Sequence, residues 1–319
     1  MSGAIRNNSA AHAPMPIIVG SPRSGTTLLR FMLDAHPELA LPPETGFVVS
    51  CAQITSTGPR LRKEFFDVVT SFPPEAPAWE DFEIPREVLW ASLEGIDPFT
   101  ISDGLRAFYR LYASRLGKSR CGDKTPVYGL HLDTVERFLP EARFIHVIRD
   151  GRDVALSLRA LWFSPGNDME TLARYWCKFI STAREQSVRC LHYVEVRYEE
   201  LVENTRPVLE RLCNYLGLQF DEQMLHYYER TPERLREHKG RLGPGGLQLT
   251  KEQRFLQQQK TTVPPDRLRV RAWKREMSRE ERMTFEAVAG NVLSELGYEV
   301  ASQVNEAYDD SGRSSKTPS

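Results

Sequence analysis

Two rhythms of apolar residues alternate along this chain. Short unbroken runs at Pro16–Val19 and Arg143–Ile148 read as buried strands, with further strand candidates at Ser119–Lys124 and His192–Val196. Between them the spacing changes to one apolar face every three or four residues. Thr26 opens such a pattern with Leu28, Leu29, Met32 and Leu33, and Pro37 closes it. His36 reads as a structural residue at that helix end. Pro98–Leu116 predicts an amphipathic helix that offers Leu105, Phe108, Tyr109, Leu111 and Tyr112 for packing. Leu130–Leu139 and Asp168–Cys190 predict two more, and another stops at Leu216-Gly217, where glycine is the expected terminator. Ser278–Leu296 predicts a last helix with an N-cap serine and an acidic first turn.

Strands alternating with helices favour a parallel sheet with right-handed crossovers, and ligands collect at the carboxyl ends of such strands. The expected fold class is therefore α/β, a single domain with a central parallel sheet flanked by helices over residues 15–300. Residues 1–14 read as a disordered leader and 301–319 as a disordered tail. Residues 58–100, rich in Pro, Trp and Phe with two short helical patterns, read as an insertion. Gly240–Asp266 carries Gly-Pro-Gly-Gly, several glutamines and Pro264-Pro265, lacks a strong period, and reads as a loop or lid.

Composition narrows the function classes. With 319 residues and 40% apolar content the chain can bury one large core. Lys plus Arg number 42 against 43 Asp plus Glu, a formal charge of −1, which gives no argument for nucleic acid or an anionic membrane surface. Five scattered cysteines without C-x-x-C spacing argue against a metal or disulfide framework and for a reducing, cytoplasmic setting. The first fifteen residues lack the apolar core of a secretory signal, and no run of about eighteen apolar residues predicts a membrane span.

The chemistry concentrates at Gly20-Ser21-Pro22-Arg23-Ser24-Gly25-Thr26-Thr27. A strand, a glycine-containing turn and a helix start together make a phosphate cradle, because the N–H groups of the first helical turn have no internal partners and the helix dipole attracts anions. The stretch nearly fits G-x-x-x-x-G-K-[ST], with Gly20, Gly25 and Thr27 in place. Thr26 stands where that pattern has its lysine, and the cation sits earlier, at Arg23. An ordinary strand-turn-helix connection is the plainer reading of the same residues.

Gly20–Leu28 resembles the 5′-phosphosulfate loop of sulfotransferases that use 3′-phosphoadenosine 5′-phosphosulfate (PAPS). Phe144–Leu158 resembles that family's 3′-phosphate motif, with Arg149 and Ser157 at its spacing. The resemblance implies a P-loop-like sulfotransferase fold and a PAPS co-substrate held by Arg23, Ser24, Gly25, Thr26, Thr27, Arg149, Ser157 and Tyr198. It also implies transfer of a sulfuryl group to a hydroxyl acceptor of unspecified class, by in-line displacement and without a metal. The interval from Arg23 to Glu44-Thr45 looks most like the tyrosylprotein branch, which makes Glu44 the implied base, with Arg23 and Lys124 as electrostatic stabilisers. Cytosolic relatives place a histidine after Lys-Thr; here Pro126 follows Lys124-Thr125, and His131 is the next candidate base. The insertion is then where acceptor specificity would reside, and one of Arg267, Arg269 and Arg271 would close over the 3′-phosphate.

Each residue keeps a plainer alternative: Glu44 as a solvated loop carboxylate, Lys124 as a surface partner of Asp123, Arg152 and Asp153 as a pair within their helix start. Two other functions remain open at this level, a P-loop nucleotide phosphotransferase and a non-catalytic nucleotide-binding module.

Overall fold

The computed structural model describes residues 12–242, 246 and 248–300. The expected tail and all but residues 12–14 of the expected leader lie outside that range, as do Gly243, Pro244, Gly245 and Leu247 of the expected lid. The chain begins with β1 (Met15–Gly20), a turn, and α1 (Thr26–Asp34). After β2 (Leu39–Ala40) come α2 (Phe47–Ser50), α3 (Pro59–Thr70), α4 (Arg86–Glu94) and α5 (Ile101–Arg115). Two short strands, β3 (Arg120–Cys121) and β4 (Asp123–Lys124), precede α6 (Leu132–Phe138), β5 (Ala142–Ile148) and α7 (Gly151–Leu158). The long α8 (Met169–Ser187) leads to β6 (Tyr193–Arg197), α9 (Tyr198–Glu203) and α10 (Thr205–Leu216). The last stretch holds α11 (Thr231–Leu235), β7 (Arg241–Leu242), β8 (Gln248–Leu249), α12 (Lys251–Gln258), α13 (Trp273–Glu276) and α14 (Arg279–Glu295).

The central sheet has the order β4-β1-β5-β6 and every pairing in it is parallel. β1, β4 and nearly all of β5 are buried on both faces, the edge strand β6 is mostly half-buried, and the two-residue alternation sorts the strands. Ile17, Val19 and Phe144 face one cluster with Phe108, Tyr109 and Leu132. Ile18, Ile145, Val147 and Val196 face the other, with Leu29, Met32 and Leu212. Ile148 starts a third cluster beyond the strand end, among α7, α8 and α14.

The helix ends follow local chemistry. Asp168 caps α8 by accepting from Thr171 N at 2.8 Å. Ser278 and Glu281 form a reciprocal capping box on α14. Gly217 closes α10 in the left-handed conformation, φ 64°. His36 is the structural helix-end residue expected: its ring accepts from Glu38 N at 3.1 Å and bonds Gln219 O at 2.8 Å.

Two expectations are corrected. Ser119–Lys124 is not one strand: β3 pairs with β2 in a separate ladder, and β4 joins the central sheet. The switch falls at Gly122, where a Cβ would lie 2.6 Å from Pro16 Cγ, so only glycine lets the chain pass from one ladder to the other. Gly240–Asp266 is not structureless. It contains an antiparallel β7–β8 ladder and α12, started by a Thr250–Gln253 capping box. That helix buries Arg254 and no apolar residue, so it carries no hydrophobic stripe by which a period could be read.

Candidate active site

The β1–α1 turn is shaped by three residues with positive φ: Gly20 at 151°, Arg23 at 71° and Gly25 at 98°. A Cβ on Gly20 would lie 2.6 Å from Val147 O, and one on Gly25 would lie 2.4 Å from the Tyr198 ring. Glycine at both lets the turn press against β5 and α9. The left-handed Arg23 is tied down from both sides: its carbonyl accepts from Arg149 Nη1 at 3.2 Å, and its Nε donates to Ser157 Oγ at 3.1 Å. Arg149 in turn donates to Arg269 O at 2.8 Å, and its guanidinium lies 4.4 Å over the Tyr198 ring.

These contacts enclose a cavity of about 190 Å³ lined by Arg23, Thr26, Thr27, Arg149, Ser157 and Tyr198, with Lys260 and Arg269 across from them. Burial and then the charges of Arg149 and Arg269 hold the Arg23 guanidinium below its usual pKa. Lys260 is lowered by burial and by Arg269, Arg23 and Arg149. Four cations gathered in a half-dry pocket are matched to a ligand with several negative charges. The buried Arg149 Nε also lacks a partner among the described residues.

A second cavity of about 360 Å³ adjoins the first. Arg23, Thr26, Thr27, Gln257 and Gln258 line both. Its floor carries Glu44 and Lys124, which are ion-paired, and Lys124 Nζ also lies 3.3 Å from Thr27 Oγ1. Lys124 is 2% exposed whereas Glu44 is 55% exposed, so the base of the pair is dry and its carboxylate faces the cleft. Desolvation raises the Glu44 carboxyl, but Lys124, and then Arg241 and His238, outweigh it and hold it below the usual carboxylate range. Burial lowers the Lys124 ammonium, with Glu44 opposing. Trp162, Phe163 and Tyr175 form an aromatic side of the cleft, and Arg30, Arg241 and Arg254 contribute charge.

The structure brings together Arg23, Gly25, Thr26, Thr27, Arg149, Ser157 and Tyr198 around one cavity, and Glu44 with Lys124 in the next. Ser24 lies apart, fully buried, and its Oγ has no hydrogen-bond partner among the described residues. Of the three late arginines, Arg269 lines the first cavity; Arg267 bonds Glu203 O at 3.1 Å and Arg271 lines a separate pocket with Arg152 and Trp273. His131 is exposed and lines neither cavity. Lys124 is not a surface partner of Asp123, because it is buried and paired with Glu44. Arg152 and Asp153 do not pair with each other: Arg152 grips Asp150 and Glu286, and Asp153 accepts from the backbone N–H groups of Arg271 and Trp273. Sequence reasoning did not find Lys260, Gln257 and Gln258, since they sit in a polar stretch whose helix has no apolar period.

The profile of the Sulfotransferase family matches residues 14–222. Nodulation protein NoeE of Sinorhizobium fredii is 27% identical over 319 aligned positions, which cover 91% of this chain and 68% of that protein. Protein-tyrosine sulfotransferase 1 of Danio rerio is 25% identical over 295 positions, covering 90% of this chain and 72% of its own. The sulfotransferase domain from the Synechococcus PCC 7002 olefin synthase has a similar fold, with a TM-score of 0.59, 24% identity, and 90% of this chain and 95% of that one covered.

Proposed function

This chain belongs to the sulfotransferase family and transfers sulfuryl groups, and from that premise we propose that PAPS is its donor, a hydroxyl its acceptor and Glu44 its general base. One observation carries the reading: a cation-lined cavity and a carboxylate-bearing cleft meet at Arg23, Thr26 and Thr27. Arg149 and Ser157 would hold the 3′-phosphate, with Arg269 and Lys260 above it. The N–H groups at the start of α1 and the Thr26 and Thr27 hydroxyls would hold the 5′-phosphosulfate. PAPS supplies the sulfuryl group together with a phosphate leaving group. Glu44 Oε takes the acceptor's proton, and its depressed pKa keeps it ionised for that task at neutral pH. Lys124 and Arg23 offset charge that develops on the transferred group and the leaving oxygen.

The likeness to a protein-tyrosine sulfotransferase supports a hydroxyl on a protein as the acceptor. Among the described residues no helix is long and apolar enough to cross a membrane. The five cysteines are free thiols, which fits the cytoplasmic setting this reading takes. Family membership leaves the phosphotransferase alternative without support, and the ionised Glu44 at the junction argues against a module that only binds nucleotide.

Calorimetry with PAP, the desulfated donor, and with ADP tests the donor. A charge-assisted bond contributes roughly 1.5–3 kcal/mol, so PAP should bind at least about tenfold more tightly than ADP. Arg149→Ala should erase most of that preference. Equal affinities would overturn the assignment. Incubation of the protein with sulfur-labelled PAPS and a cell extract, followed by identification of the labelled product, names the acceptor.

A further inference from the structure

Beneath the Glu44–Lys124 pair lies a carboxylate that the chemistry so far does not use. Asp123 is fully buried, and its Oδ2 accepts from Thr45 Oγ1 and from Tyr109 OH, each at 2.7 Å. Among the described residues no cation hydrogen-bonds it. Thr45 spends its one hydroxyl proton on Asp123, so the Tyr128 hydroxyl, 2.7 Å away, donates to Thr45 Oγ1 and itself accepts from Val48 N at 3.1 Å. Thr45 N donates to Thr125 Oγ1 at 3.1 Å. Asp123 Oδ2 thus serves both hydroxyls as an acceptor, while its buried Oδ1 has no hydrogen-bond partner among the described residues. Thr45 is the residue after Glu44, and Asp123 is the residue before Lys124.

We propose that Asp123 is a positioning residue for sulfuryl transfer, fixing Thr45 so that the neighbouring Glu44 carboxylate is held against Lys124 in the cleft. This rests on the reading of Glu44 as the base. A buried carboxylate without a hydrogen-bonded cation is costly to keep. Here it locks together the two segments that carry the pair, the Pro43–Gly46 loop and β4, which are far apart in sequence. Burial pushes the Asp123 carboxyl up to about 6, against the hydrogen bonds of Tyr109, Thr45 and Thr125 and the charge of Lys124. The groups that face this cluster are Tyr109 from α5, Tyr128 from the turn before α6, Lys124 from β4 and Cys121 from β3. As pH falls through about 6, Asp123 takes a proton and Thr45 loses its charged acceptor.

The test is the initial rate of label transfer from sulfur-labelled PAPS into a cell extract, with PAP affinity by calorimetry. Asp123→Asn and Thr45→Val should keep parental PAP affinity and lose about 10²-fold in maximal rate, the scale of a misplacement of about 1 Å. Thr45→Ser, which restores the hydroxyl, should recover it. The parental acid limb near pH 6 should vanish in Asp123→Asn. Adding Asp123→Asn to Glu44→Gln should slow the reaction no further, because both act through one group. Should Asp123→Asn fail to fold, Thr45→Val against Thr45→Ser reports the same point. Thr45→Val at the parental rate while Glu44→Gln is dead overturns the positioning role alone. Glu44→Gln at the parental rate overturns the base, and the positioning role with it.

Discussion

Glu44 is set between two opposing effects: partial burial raises its carboxyl, and the dry Lys124 ammonium beside it lowers it further than burial raises it. A carboxylate held ionised in this way is a weak but always available base. Glu44→Gln keeps its size and removes its proton acceptor, so PAP affinity should stay parental while turnover falls about 10²–10⁴-fold. Calorimetry and label transfer measure the two separately, and near-normal turnover would return Glu44 to the rank of a loop carboxylate. Gly25 is governed by shape instead. With φ 98° and the Tyr198 ring 2.4 Å from any Cβ, Gly25→Ala must push the tyrosine away or open the turn. PAP binding should then be lost with Glu44 untouched; a variant that binds PAP as the parent does would show that the cradle tolerates a looser turn.

At the scale of elements, α12 packs only the half-buried Phe255 on the core and is otherwise held by charge. Arg254 donates twice to Asp81, at 2.9 and 2.6 Å, and both are buried. Lys239 N adds a bond to Asp81 at 2.8 Å, and Arg254 also reaches His238 at 3.1 Å. Asp81 belongs to the 58–100 region and lines the second cavity, and Arg254 belongs to the late segment, so this clamp joins that wall to the helix whose end bears Gln257 and Gln258. Asp81→Asn leaves a buried guanidinium without its partner, a loss of roughly 3–5 kcal/mol that opening of α12 relieves. PAP affinity should fall at least about tenfold, with faster hydrogen exchange confined to residues 251–258. Unchanged affinity would show that Lys260 is held in place without the clamp.

Across the whole molecule, the fully buried His146 in β5 ties stability to pH. Burial, against the opposing charge of Glu195, lowers its imidazole to about 4. The unfolded chain takes the proton first, at its ordinary pKa of about 6.5. The stabilisation from a neutral His146 is therefore complete above that pH and is lost as pH falls toward 4. By one pKa unit per 1.36 kcal/mol the loss approaches about 3 kcal/mol. Denaturant unfolding of His146→Phe against the parent, at pH 7 and pH 5, should show a smaller acid-side decline in the variant. Equal declines would place the proton elsewhere. The main α/β order, the strands through Ile17 and Phe144 and the cap at Ser278 were all legible beforehand, because each is written in a local period or a single capping side chain. The switch at Gly122 and helix α12 were not, because a close approach to Pro16 and an ion pair to Asp81 leave no such local mark.

The sequence alone determined the strand, glycine-containing turn and helix of the cradle, since backbone geometry at Gly20 and Gly25 depends on residues near one another in the chain, whereas Arg149, Ser157 and Glu44 were named by resemblance to sulfotransferases. Tertiary structure decided which charges meet. It chose Arg269 among three arginines, brought Lys260 over from a polar loop and buried Lys124 against Glu44. It also placed Asp123 where one carboxylate grips a residue beside each member of that pair. These contacts join segments tens to hundreds of residues apart, and a Coulombic or hydrogen-bonded contact of that kind has no period by which a sequence could announce it.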